Sequence, residues 1–167
     1  PRQFQHSELG ECVRRGLHES GLPATGLMLE ITEGAIMRDV ETTIATLWRL
    51  KDLGIQIAID DFGTGYSSLA YLKRLPLDVL KIDRSFINGI VEDREDSAIV
   101  QAIIAMAKTL DLSITAEGIE TEGQSALLRS WHCDRGQGYN LAKPLDVTAF
   151  TKMLDGKRPP AGRTVAA

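Results

Sequence analysis

Short apolar runs alternate along the chain with segments whose apolar residues recur every three or four positions. Residues 7–20 place Leu9, Val13 and Leu17 on one helical face and stop at Gly21. Residues 27–31 follow as a short strand. Residues 39–53 carry Val40, Ile44, Leu47 and Leu50 at helical spacing with Gly54 just past the end, and 55–59 form a β-branched strand. The beat repeats with a helix over 67–75 stopped before Pro76, and a strand over 79–82. A helix over 96–110 then presents Ile99, Ile103, Met106 and Leu110 on one face, and 113–116 is the next strand. Thr121 and Gln124 fit a capping box for a helix reaching residue 131. A weak strand lies within 133–139, and 147–154 closes the pattern as a helix.

Alternating strands and helices predict a parallel sheet covered by helices, in a barrel or an open doubly wound sheet. The pattern yields about five strands, whereas a complete (β/α)8 barrel has eight and takes about 250 residues. The first helix has no strand before it, as in a barrel whose first part lies elsewhere. A chain of 167 residues suits one domain. The expected division is one domain over 1–155 and a disordered tail over 156–167, where Pro, Gly and basic residues collect. Because the chain starts at Pro1, a processed, trimmed or partial product is expected.

Composition narrows the class only a little. A net charge of -4 gives no reason to expect binding to a nucleic acid polymer. No apolar run approaches the ~20 residues of a membrane span, and no signal peptide opens the chain. Cys12 and Cys133 alone make no disulfide framework. A cytoplasmic setting is expected, with upstream domains that could tether the parent to a membrane.

The chemistry lies where strands end. Side chains alternate along a strand, so Ile55, Ile57, Ile59 and Asp61 share one face while Gln56, Ala58 and Asp60 share the other. By the same parity Lys81 pairs with Asp83, Thr115 with Glu117, and Glu30 with Met28 and Thr32. Four strands thus project a charged residue near the carboxyl end, where the loops of α/β folds converge on active sites. Clustered carboxylates need cations, and hard divalent ions such as Mg²⁺ or Mn²⁺ suit an all-oxygen donor set. One acid at a strand end is more often a cap or a surface group; four strands with the same parity weigh against that. Lys81 would also be explained as a salt-bridge partner, which is compatible with catalysis. Residue chemistry alone leaves open an enolase-like carbon acid reaction as well as phosphoryl transfer by two metals. After Asp60 and Asp61, the glycines at 63 and 65 flank Thr64 in a loop whose backbone path other residues would resist.

These segments together resemble the EAL family of cyclic di-GMP phosphodiesterase domains. The matching runs are Glu30-Ile-Thr-Glu33, Asp60-Asp-Phe-Gly-Thr-Gly-Tyr-Ser-Ser-Leu69, Lys81-Ile-Asp-Arg-Ser-Phe86, Ala116-Glu-Gly-Ile-Glu-Thr121 and Cys133-Asp-Arg-Gly-Gln-Gly-Tyr139, followed by Lys143-Pro144. The likeness covers residues 1–150. It implies a modified TIM (β/α)8 barrel that hydrolyses cyclic di-GMP to pGpG with two Mg²⁺ or Mn²⁺ ions. It also implies Glu30, Asp60, Asp61 and Glu117 as metal ligands, and Glu117 and Lys81 as activators of the attacking water, with Gln137 beside it. Asp83 would sit in the substrate pocket, Glu33 would brace the loop containing Gly63, Thr64 and Gly65, and Glu120 would support the site from its edge. A homodimer through the barrel is the implied partner.

The chain departs from the family at its start. The Glu-Ala-Leu segment, a nearby phosphate-holding arginine and an asparagine ligand are not found in it. The expectation is therefore a phosphodiesterase in the intact parent and weak or absent activity in these residues alone. The alternative is a non-catalytic module that binds cyclic di-GMP or a protein partner.

Overall fold

The structure, a computed structural model, describes residues 8–65 and 69–155. The expected tail over 156–167, and Ser7 and Ser67 at two expected helix starts, lie outside the described residues. The chain divides into two units, one built from residues up to 81 with 107–113, the other from 82–106 with 114 onward.

In the first unit α1 (Leu9–Ser20) ends at Gly21, whose φ of 68° is the left-handed geometry glycine adopts without cost. A 3-10 turn (Ala24–Gly26) leads into β1 (Met28–Thr32), a one-turn helix α2 (Glu33–Ile36) and α3 (Val40–Lys51). The Asp39 carboxylate caps α3 by accepting from the Thr42 N–H at 3.2 Å. β2 (Gln56–Phe62) lies parallel to β1, with Met28 opposite Gln56, Glu30 opposite Ala58 and Thr32 opposite Asp60. A short α4 (Leu69–Leu72) precedes β3 (Val79–Ile82). Leu47 and Leu50 from α3 are buried along with Ile57, Ile59, Val79 and Leu80 of the strands. At the entry to β3 the Asp78 carboxylate accepts from the Ile57 N–H at 2.8 Å and from Lys51 Nζ at 2.6 Å. It thereby satisfies a strand donor that would otherwise be orphaned in a buried place.

The second unit holds α5 (Arg84–Asn88), most of α6 (Arg94–Thr109), the end of β4 (Ser113–Ala116), α7 (Glu122–Ser130), β5 (Arg135–Gly136) and α8 (Val147–Leu154). β4 and β5 are parallel, Thr115 facing Arg135 and Ala116 facing Gly136. Asp134 repeats the device of Asp78, taking the Ile114 N–H at 2.8 Å. Ile82, Ile87, Val100, Ile104, Ile114, Ile119 and Leu128 are buried. The strands follow one another in chain order in a five-stranded sheet, the succession that part of a (β/α)8 barrel gives.

The strand-helix alternation is therefore as the pattern predicts, with local differences, one being that the helix expected over 67–75 is, among the described residues, only α4 (Leu69–Leu72). The one-turn helices α2 and α5 are too short to show a helical period. β2 runs to Phe62 rather than stopping at Ile59, because its carboxyl end is polar and carries no apolar alternation to read. The buried stripe of α6 is Val100, Ile103, Ile104 and Ala107, while Ile99 is 42% exposed; small alanines hid the true face. The weak strand placed within 133–139 is the two-residue β5.

Candidate functional site

The polar face of β1, β2 and β3 carries the charged groups, as strand parity requires. The register that sets Glu30 opposite Ala58 and Thr32 opposite Asp60 keeps Glu30 and Asp60 on one side. Lys81 joins them, with Nζ 2.8 Å from Glu30 Oε2 and 2.9 Å from Asp60 Oδ1. Lys81 is only 6% exposed, and an ammonium that deep needs the two carboxylates beside it as partners. Two carboxylates meet one ammonium, so the trio formally carries one negative charge in excess. Asp60 Oδ1 is buried and receives no directed hydrogen bond, although the Lys81 charge lies close to it. An acceptor oxygen in that state, among hard oxygen donors, fits a divalent cation.

Asp61 interrupts the alternation that would send it to the isoleucine face. Its φ is 54°, a left-handed conformation that aspartate tolerates and β-branched residues do not. The chain turns there, and both the N–H and the hydroxyl of Thr64 donate to the Asp61 carbonyl, at 3.3 and 2.9 Å. Gly63 follows with φ 98°, where a side chain would be strained. Glu33, only 4% exposed, accepts from the Gly63 N–H through Oε2 at 3.2 Å. A Cβ at Gly65 would stand 2.6 Å from Glu33 Oε1, so the loop needs glycine there to lie against the carboxylate. Glu33 thus lies against Gly63 and Gly65 in the described part of the loop.

In the second unit the segment after β4 is stitched at almost every residue. The Glu117 N–H donates to the Ile82 carbonyl at 3.1 Å, Ile119 N–H to Gln137 at 3.0 Å, and Gln137 N–H to Ala116 at 2.8 Å. Glu117 is half-buried beyond the end of β4, on the face opposite buried Ile114 and Ala116. The Gln137 side chain belongs to an exposed residue. Gly138 packs so closely on Ile119 that a Cβ would fall 2.2 Å from its backbone N and O.

Asp83 has a plainer immediate task than pocket lining. It is the N-cap of α5, accepting from the Ser85 N–H at 2.9 Å and from the Ser85 hydroxyl. Burial pushes its carboxyl up, but the Ser85 hydroxyl, the Ser85 and Arg84 N–H groups and the Arg84 charge outweigh that and hold it below the ordinary value. Glu120 pairs with Arg84 at 2.8 Å, and the Arg84 stem lies against Gly118. The residue that sequence reasoning undervalued is Gln124. It is 5% exposed and makes hydrogen bonds well beyond its capping box. Its only sequence signal is the third position after Thr121.

Comparison with known proteins bears on this geometry. The EAL domain family matches residues 1–144. The chain is 53% identical over 152 residues to the cyclic di-GMP phosphodiesterase NbdA of Pseudomonas aeruginosa, covering 91% of this chain and 19% of that protein. It spans about a fifth of the length of the curated relatives it matches. Among solved structures, the PaMucR phosphodiesterase in complex with c-di-GMP superposes with a TM-score of 0.85 at 47% identity, over 89% of this chain and 60% of that one. The EAL domain of Mycobacterium smegmatis DcpA gives 0.89 at 44% identity, over 95% and 71%.

Proposed function

The chain belongs to the EAL domain family, and on that premise we propose that it serves a divalent-metal phosphodiesterase that hydrolyses cyclic di-GMP to pGpG. The observation that carries this reading is the buried Lys81 ammonium between Glu30 and Asp60, beside an Asp60 oxygen left without a directed hydrogen bond. The named activity of NbdA and the bound ligand of the PaMucR structure support the choice of substrate.

Glu30, Asp60, Asp61 and Glu117 would hold two Mg²⁺ or Mn²⁺ ions through carboxylate oxygens. Such ions, when bound, neutralise phosphoryl oxygens and acidify the attacking water. Lys81, ion-paired with both Glu30 and Asp60, holds the two carboxylates in place before any ion arrives, so that part of the donor set is pre-organised. Its ammonium and Glu117 direct the water, Glu117 takes up the proton that the water loses, and the Gln137 amide fixes the water's orientation. One P–O bond forms to the water oxygen as the bond from the same phosphorus to a ribose 3′-oxygen breaks, and a proton ends on that oxygen. Asp83, held ionised below its ordinary value, offers an acceptor to a guanine N–H edge. Glu33 holds the loop at Gly63 and Gly65 so that Asp61 keeps its turned backbone, and Glu120 steadies the segment after Glu117.

No helix among the described residues is long and apolar enough to cross a membrane, and a cytoplasmic setting suits a nucleotide messenger as substrate. Pairing with a second copy through the barrel completes the proposal, and size-exclusion chromatography with light scattering tests it. The activity is tested by incubating the full protein that carries this chain with cyclic di-GMP and Mg²⁺ and separating nucleotides by chromatography. Conversion to pGpG that stops on chelation is expected; an unchanged substrate pool overturns the reading.

A further inference from the structure

We propose that Gln124 is a positioning residue for the segment of residues 117–121, and so for Glu117; this rests on the reading of function above. The Gln124 side chain is buried on α7 and uses its whole hydrogen-bonding capacity. Its Oε1 accepts from the Glu120 N–H at 2.8 Å and the Thr121 N–H at 2.9 Å. Its Nε2 donates to the Ile87 carbonyl at 3.2 Å and the Asn88 carbonyl at 3.4 Å. A primary amide offers two lone pairs and two N–H groups, and all four are engaged.

A capping box requires only the bond to the Thr121 N–H. The additional bond to Glu120 and the two to the end of α5 serve something else. They tie the segment that follows Glu117 to the helix that follows β3. The other backbone donors of this segment reach sheet neighbours: Glu117 goes to Ile82 and Ile119 to Gln137. Glu120 and Thr121 have Gln124 instead. Gln124 therefore fixes the carboxyl-terminal half of a short segment whose amino-terminal half holds the carboxylate that takes the proton. The chain between Glu117 and Glu120 includes Gly118, at φ 69°, the most easily redirected residue in it. Without Gln124 the segment keeps its bonds at Glu117 and Ile119 but loses those at Glu120 and Thr121, so its carboxyl-terminal half is released from the end of α5.

The test compares three forms of the full protein: wild type, Gln124→Met and Leu128→Ala. Methionine matches the length of glutamine and supplies neither donor nor acceptor. Leu128 is buried on the same helix and its side chain forms no hydrogen bond, so its truncation controls for lost stability alone. Steady-state hydrolysis of cyclic di-GMP with Mg²⁺ is measured together with amide hydrogen exchange of the metal-free proteins. Gln124→Met is expected to lower kcat at least about tenfold with KM within about threefold, which marks a misplaced group and not weakened substrate binding. Exchange at Glu120 and Thr121 speeds up in that variant only, and Leu128→Ala keeps its kcat at matched loss of Tm. If Gln124→Met does not fold, Gln124→Asn, which keeps an amide one methylene short, replaces it with the same expected direction. An active wild type with unchanged kcat in the Gln124 variant, or an equal loss in Leu128→Ala, overturns the positioning role. A wild type that leaves cyclic di-GMP intact overturns the underlying reading of function instead, while the exchange data still judge whether Gln124 orders the segment.

Discussion

Replacing Lys81 by methionine removes the one charge that reconciles Glu30 with Asp60 while keeping most of the buried stem. Lys81 is 6% exposed, and its Nζ lies within 2.9 Å of both carboxylates. Deleting one partner of a fully buried ion pair costs roughly 3–5 kcal/mol, because the remaining charge stays uncompensated. Here the side chains of Glu30 and Asp60 are 46% and 22% exposed, so water and counterions relieve part of that. The expected loss is about 2 kcal/mol, measured by urea unfolding in the presence of a chelator. It corresponds to a fall in Tm of about 4–8 °C for a domain of this size. Adding Mg²⁺ should narrow the gap between variant and wild type, because a divalent ion can replace the lost positive charge between the carboxylates. Activity should nevertheless stay low, since in the proposed mechanism an ion does not replace the ammonium in directing water. A chelated variant within about 0.5 kcal/mol of wild type, the scale of an ordinary surface substitution, would refute the electrostatic reasoning.

Other consequences are equally direct. Asp83→Asn keeps a competent helix cap but loses the charge, so wild type should be the more stable protein at neutral pH. The folded Asp83 carboxyl titrates below its ordinary value of 3.8; the unfolded chain therefore binds the proton first as pH falls. The advantage should be complete above the ordinary value and vanish as pH drops through the lower folded one, followed by denaturation at a series of pH values. Gly138→Ala puts a Cβ 2.2 Å from the Ile119 backbone, and calorimetry should record a loss of more than about 2 kcal/mol. Gly65→Ala drives against the buried Glu33 carboxylate and should lower Mg²⁺ affinity, read by calorimetric titration, with little change in Tm.

Strand parity makes much of the site legible in the sequence. Glu30, Asp60 and Lys81 share a face because residues two apart on a strand must, and the parallel register of β1 on β2 joins the first two. The acidic pair at 60 and 61 is visible, but the consequence of its position is not. Alternation assigns Asp61 to the isoleucine face, and a positive φ, which no periodicity encodes, turns the chain out of that assignment. Glu33 sits in an otherwise apolar setting, and only its contact with Gly63 and Gly65 explains it. Gln124 is visible as the capping-box partner of Thr121, but its wider bonding is not: its partners at Ile87 and Asn88 lie 37 and 36 residues away, and long-range bonds from a side chain to a backbone leave no local pattern. The short helices α2 and α5 are hidden because a single turn repeats nothing.

The central claim, that these carboxylates serve metal-dependent opening of cyclic di-GMP, has one most direct measurement. Purified full protein carrying this chain is stripped of metal, assayed for pGpG, reloaded with Mg²⁺ or Mn²⁺ and assayed again, alongside Asp60→Asn. The account predicts no product when stripped, restored linear dinucleotide after reloading, and little or none from Asp60→Asn at any metal concentration. Equal product with and without metal, or an Asp60→Asn protein as active as wild type, would contradict it.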